Sequence, residues 1–180
     1  FSKKKINFIN VGRFTDQKDQ ITLLKAINLL KGKINFNLLI VGYGKQRNLL
    51  LNYINENNLQ KKVQIVPYQT NPYNLIKSSD IFILTSLYEG LPNVLLEAQA
   101  LKKFIISSNC PTGPREILLN GKAGYLFKVK DYQTLSKLIL KILRNKKIMY
   151  KKIETGYKNL DRFNYELNLN KYYKTILQHL

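Results

Sequence analysis

The sequence predicts an α/β domain, a parallel sheet with helices on both faces. Three observations lead there. Strand-like and helix-like segments alternate along the chain, as crossover connections require. Asp80-Ile81-Phe82-Ile83-Leu84 is apolar at successive positions, the pattern of a strand buried on both faces. The length of 180 residues fits one domain with a full core, and no repeat, linker or low-complexity tract divides residues 1–180.

The elements follow in order. Ile6–Val11 alternates its larger apolar residues before Gly12 and predicts the first strand. Asp16–Leu30 carries Ile21, Leu24 and Ile27 at helical spacing, closed by Gly32. Phe36–Val41 is a strand ending in a Gly42-Tyr43-Gly44 turn, and Leu49, Leu50, Tyr53 and Ile54 mark a helix. A short strand at Val63–Val66, a short helix at Asn71–Ser78 and the strand at Asp80–Leu84 come next. Pro92 suits the first turn of a helix running to Leu101. Strands at Phe104–Ser107 and Gly124–Val129, an amphipathic helix at Tyr132–Leu143 and a last helix at Tyr165–Leu180 complete the reading.

Composition narrows the function classes. The chain is 44% hydrophobic, too apolar for a disordered protein. No apolar run approaches the length of a membrane-spanning helix. One cysteine, Cys110, excludes an internal disulfide, and one histidine, His179, excludes His-cluster metal chemistry. Thirty Lys and Arg against eleven Asp and Glu give a net charge of +19. Such a surface draws anionic partners, whether lipid headgroups, nucleic acid or phosphorylated substrates. A/T-biased codon usage would produce the same lysine excess, so the charge nominates partners without choosing one. The opening Phe1-Ser2-Lys3-Lys4-Lys5 predicts a piece of a longer, cytoplasmic protein.

In parallel α/β sheets, ligands bind where strands hand over to helices at their carboxyl ends. Two loops there carry chemistry. After the first strand, Gly12 leaves room for a phosphate, and Arg13 and Lys18 bring two cations beside a helix N-terminus, a setting that suits a diphosphate. An ordinary loop with surface cations is the alternative. Gly42-Tyr43-Gly44 lacks the remaining signature of a dinucleotide fingerprint and reads as a tight turn. After the fourth strand, Glu89 lies in the loop and Glu97 about two turns into the next helix. A helical carboxylate can accept from a ribose diol, and one in the loop can face a sugar hydroxyl. In a chain poor in acids, two in one loop-helix unit are notable.

Glu89-x7-Glu97, set in Ser86-x-x-Glu89-Gly90-Leu91-Pro92, resembles the E-x7-E motif of retaining GT-B glycosyltransferases, family 4 in particular. Val11-Gly12-Arg13 with Lys18, Val41-Gly42-Tyr43-Gly44 and Ser79–Ser86 resemble that family's segments in the same order. Cys110-Pro111-Thr112-Gly113-Pro114-Arg115-Glu116-Ile117 is similar to a segment of bacterial members that build capsule, lipopolysaccharide and lipid-linked glycans. The likeness runs from about Ile6 to Leu143.

The resemblance implies a Rossmann-like domain, the C-terminal, donor-binding half of a GT-B enzyme whose own N-terminal acceptor domain lies outside this chain. It implies a nucleotide diphosphate sugar as donor, with UDP expected, and a hexose or N-acetylhexosamine passing to a glycan or lipid-linked acceptor. Arg13, Lys18 and Glu89 would be the catalytic residues. Arg13 and Lys18 would neutralise the diphosphate beside Gly12, so that no metal or other cofactor is expected. Glu89 would sit beside the transferred sugar and Glu97 on the ribose. The amides of Gly90, Leu91, Val94 and Leu95 would contact sugar and phosphate, and Tyr68 and Gln69 would lie near the base. Val66-Pro67-Tyr68 stands where the family usually has a glycine, and Lys102-Lys103-Phe104 replaces its usual G-x-P. Two rival readings stand beside this one. One is a basic nucleic-acid-binding module, against which no Lys/Arg-aromatic signature appears, so that no nucleic-acid partner is expected. The other is a non-catalytic GT-B-like assembly domain. The cation run Lys137, Lys141, Arg144, Lys146, Lys147, Lys151 and Lys152 suggests a peripheral contact with anionic lipid at the inner membrane face.

Overall fold

The structure, a computed structural model, describes residues 5–178. Six strands, β1 (Ile6–Val11), β2 (Phe36–Gly42), β3 (Val63–Pro67), β4 (Ile81–Leu84), β5 (Phe104–Ser108) and β6 (Tyr125–Phe127), form one sheet in the order β3-β2-β1-β4-β5-β6. Every neighbouring pair is parallel. The order runs outward in both directions from the β1–β4 pair, joined through Phe8↔Ile81 and Ile9↔Phe82. That pair is the topological switch point, where the loops after two neighbouring strands part to opposite faces and leave a crevice.

Successive side chains of each strand enter opposite cores, the period of two that an extended chain imposes. On one face Phe8, Ile83, Phe104 and Ile106 pack with Leu24 and Ile27 of α1 (Gln20–Asn28), Leu50 and Ile54 of α2 (Arg47–Glu56), and Leu135 and Ile139 of α6 (Tyr132–Leu143). On the other, Ile9, Phe82 and Ile105 pack with Ile76 of α3 (Tyr73–Ser78), Leu95 and Ala98 of α4 (Asn93–Ala100), and Ile117 of α5 (Pro114–Ile117). The central strands are apolar on both sides because both sides are covered. α7 (Lys146–Lys158) lies across α4 and β5, and α8 (Tyr165–Leu177) has no buried residue.

Several expected boundaries shift. The helix expected over Asp16–Leu30 is a 3₁₀ turn, Asp16–Lys18, followed by α1. Asp19 separates them at φ 45° and caps α1 by accepting from the Thr22 amide. The strand expected over Gly124–Val129 narrows to β6. The helices α5 and α7 were not foreseen, one because it is a single turn, the other because its lysines read as part of a cation run. Phe1–Lys4, and the His179-Leu180 end of the last predicted helix, lie outside the described residues.

Candidate active site

The β1–α1 loop and the β4–α4 loop meet over the switch-point crevice and are sewn together. Leu87 donates its amide to Gln17 O at 2.7 Å, Gln17 Nε2 donates to Tyr88 O at 3.0 Å, and Thr85 Oγ1 donates to Lys18 O at 3.0 Å. Buried Gln20 holds the first loop from inside, its Nε2 donating to Arg13 O at 2.9 Å. The outcome is an ion pair, Lys18 Nζ to Glu89 Oε1 at 2.6 Å, with side chains only 16% and 7% exposed. Charges this sheltered are screened far less than surface pairs. Ser86 Oγ donates to the same Glu89 oxygen at 2.5 Å.

The β1–α1 loop rests on the turn after β2. Phe14 donates its amide to Tyr43 O at 2.6 Å, and Gln46 donates to Phe14 O at 3.1 Å. A Cβ at Gly42 would lie 2.0 Å from Gly12 O, and one at Gly44 2.4 Å from Phe14 O. Only glycine permits this approach. Gly42-Tyr43-Gly44, which the sequence offered as a mere tight turn, is the seat of the cationic loop.

The β4–α4 loop has a matching support in the segment after β5. Glu89 donates its amide to Pro111 O at 2.7 Å, and Thr112 returns its amide to Glu89 O at 2.9 Å and its hydroxyl at 3.0 Å. Gly113, at φ 77°, backs this contact so closely that a Cβ would stand 2.1 Å from Gly90 O. The Cys110–Ile117 segment therefore acts on the site by holding the Glu89 backbone.

The remaining expected residues fall into place unevenly. Arg13 is exposed, and among the described residues no hydrogen bond or ion pair uses its guanidinium. Gly12 sits over the Lys18 stem, where an added Cβ would make only ordinary contact at 3.6 Å. The amides of Gly90, Leu91 and Val94, at the start of α4, also have no partner among the described residues. Of these, the Val94 amide lies in the first turn of α4 and carries the positive end of its dipole, while Gly90 and Leu91 lie in the loop just before the N-cap Pro92. Leu95 differs from the other three: its amide donates to Pro92 O at 2.9 Å and its side chain is fully buried. Tyr68 and Gln69 stand apart at the end of β3. Tyr68 meets Tyr43 edge to face at 5.5 Å, both rings more than half exposed, and Gln69 Nε2 turns back to Pro67 O at 3.2 Å.

Glu97 is half-buried on α4 with no hydrogen bond or ion pair to its carboxylate among the described residues. Burial raises its pKa above the ordinary 4.5. With 30 cationic side chains in the molecule, an unpaired, part-desolvated carboxylate is unusual, and such groups concentrate at functional sites. The cation run lies elsewhere. Lys137, Lys141, Arg144, Lys146, Lys147 and Lys151 are exposed around the α6–α7 corner. That corner borders Asp80 and Ile81 at the amino edge of the sheet, opposite the crevice. Lys152 is half-buried and donates to Gly121 O beside the Tyr125 ring, and burial and Lys141 hold its pKa down. It leaves the surface group that the sequence had suggested.

Residues 1–159 match the family described as Glycosyl transferases group 1. The chain belongs to that family. Its relatives include the capsular polysaccharide biosynthesis glycosyltransferase CapH of Staphylococcus aureus, 34% identical over 160 residues, 82% of this chain and 42% of that protein. Another is the N-acetylgalactosamine-N,N'-diacetylbacillosaminyl-diphospho-undecaprenol 4-alpha-N-acetylgalactosaminyltransferase of Campylobacter jejuni. It is 29% identical over 151 residues, 84% of this chain and 40% of that one. In fold, the chain superposes on Staphylococcus aureus TarM, solved in complex with Fondaparinux, alpha-GlcNAc-glycerol and UDP. That match has a TM-score of 0.86 at 21% identity, covering 96% of this chain and 36% of TarM. The chain thus spans less than half the length of these relatives. This glycosyltransferase domain carries one half of a GT-B fold, and no helix among its described residues is long and apolar enough to cross a membrane.

The raised Glu97 pKa has a consequence for stability. The native state holds that proton to higher pH than the unfolded chain does, so the protonated group favours folding below the ordinary carboxylate range. That contribution is lost as pH rises through the native value. Glu97→Gln is therefore expected to melt at higher temperature than the parent at neutral pH, the difference vanishing below pH 4.5. Thermal melts across pH measure it; equal melting at neutral pH would contradict it.

Proposed function

We propose that this chain is the donor-binding domain of a retaining glycosyltransferase that uses a nucleotide diphosphate sugar, with UDP as the nucleotide. The observation that carries the reading is the meeting, at one crevice, of the cationic β1–α1 loop with the loop carboxylate Glu89, beside free amides that lead into α4, the helix that bears the unpaired Glu97. Arg13 and Lys18, with the amides of Gly90, Leu91 and Val94, would take the donor diphosphate. Glu97, the unpaired carboxylate, would accept from the ribose hydroxyls, which supply the hydrogen bonds it lacks. Glu89 would lie beside the sugar, its charge balanced by Lys18.

In the transfer, the bond between the anomeric carbon and the diphosphate oxygen breaks as an acceptor hydroxyl bonds to that carbon on the same face. The electron pair leaves on the diphosphate oxygen, and the acceptor hydroxyl's proton passes to that oxygen. Preorganised cations and amides around that oxygen stabilise the developing charge, usually the largest single catalytic term. Two side-chain cations and a helix N-terminus supply the positive charge a metal would otherwise bring, which supports metal-independent catalysis. The acceptor hydroxyl and its activation would come from an N-terminal domain, so this chain alone binds donor without transferring it. Relatives named for capsular polysaccharide and diphospho-undecaprenol substrates support a hexose or N-acetylhexosamine passing to a glycan or lipid-linked acceptor. A cytoplasmic enzyme at the inner membrane face suits such an acceptor, with the α6–α7 cations as its lipid contact.

Calorimetric titration with UDP, GDP and ADP tests the reading. UDP is expected to bind, unchanged by a chelator, and Glu97→Ala to weaken it by about ten- to a hundredfold, the loss of hydrogen bonds to a charged group. Failure of all three nucleotides to bind would sink the donor-domain reading. Sedimentation with phosphatidylglycerol vesicles tests the lipid contact separately. Lys141→Glu with Lys147→Glu should lower the bound fraction, and binding indifferent to anionic lipid would remove the membrane contact.

A further inference from the structure

The ion pair presents a difficulty that the site itself resolves. Lys18 is asked to hold the donor diphosphate, yet its ammonium is already committed to Glu89 Oε1 at 2.6 Å. A diphosphate with two negative charges draws that ammonium toward itself. A Glu89 held only by Lys18 would follow it or lose its place. The second donor on the same oxygen, the Ser86 hydroxyl at 2.5 Å, does not compete for phosphate.

We propose that Ser86 is a positioning residue that fixes Glu89 for the donor sugar. It locks Oε1 by a hydrogen bond independent of the diphosphate and leaves Oε2 to face a sugar hydroxyl. This rests on the donor-domain reading above. Three features support it. Ser86 is fully buried, so its hydroxyl has no water to prefer. Its own carbonyl accepts from buried Ser108 Oγ at 2.6 Å, which ties the residue to β5 rather than to the Lys18 ammonium. Among the described residues Oε2 receives no hydrogen bond, while Oε1 receives two. A short, charge-assisted O–H···O⁻ bond of this length is among the stronger that a neutral donor can make. The Glu89 backbone is pinned independently by Pro111 and Thr112, so Ser86 controls the carboxylate alone.

The test separates the sugar from the nucleotide. UDP, UDP-glucose, UDP-galactose and their N-acetylhexosamine counterparts are titrated against the chain, and the affinity of each sugar nucleotide is divided by that of UDP. The parent chain is expected to gain from at least one sugar. Ser86→Ala should cut that ratio by roughly tenfold, one hydrogen bond to a charged group. Ser86→Cys, nearly isosteric with a poorer donor, should fall between. Glu89→Gln should lower the ratio too, and the double variant should lose less than the two single losses combined, because both act on one contact. A ratio untouched by Ser86→Ala, fully additive losses, or no sugar gain in the parent would each overturn the proposal. A parent chain that binds no UDP contradicts the donor-domain reading instead.

Discussion

The ion pair between Lys18 and Glu89 joins residues 71 apart in the chain, and the rest of the site is organised around letting them meet. The sheet order does the long-range part by setting β1 beside β4. Glycines do the short-range part: Gly42 and Gly44 let the cationic loop settle on β2, and Gly113 lets the acidic loop settle on the segment after β5. Both loops are thus held from outside the crevice as well as across it. A sheltered pair needs such support. Desolvating two charges costs several kcal/mol each, and the attraction offsets this only with good geometry and further hydrogen bonds, which Ser86 supplies here.

Charge in this molecule has a sharper meaning than its total. The exposed cations of the α6–α7 corner sit at the amino edge of the sheet, whereas Arg13 and Lys18 sit at the carboxyl edge, after β1. Net charge cannot tell these groups apart; topology does. The acids divide in the same way. Glu89 is paired and hydrogen-bonded, whereas Glu97 is part-desolvated and has no partner among the described residues.

Much of this was legible in the sequence because both cores leave periodic traces. The central strands are apolar on both faces, and α6 shows a clean stripe through Leu135, Ile139 and Ile142. α7 was hidden because its inward residues, Ile148, Ile153 and Gly156, are spread among five lysines. The break at Asp19 was hidden because a left-handed cap leaves no periodic mark. Arg13, Lys18, Glu89 and Glu97 could be nominated by residue type and spacing. What joins them could not: the pairing of Lys18 with Glu89, the use of the Leu95 amide within the helix and the inward turn of Lys152 all depend on contacts between distant or folded segments. Ser86 left a fainter signal, a hydroxyl three residues before the loop acid.

The central claim is that the donor diphosphate sits at the β1–β4 crevice, away from the broader basic surface. Backbone amide shifts in nuclear magnetic resonance spectra, followed as inorganic pyrophosphate is added, test this most directly. The account predicts changes concentrated at Gly12–Lys18 and at Glu89–Val94. Changes centred on Lys137–Lys151, with the crevice silent, would contradict it.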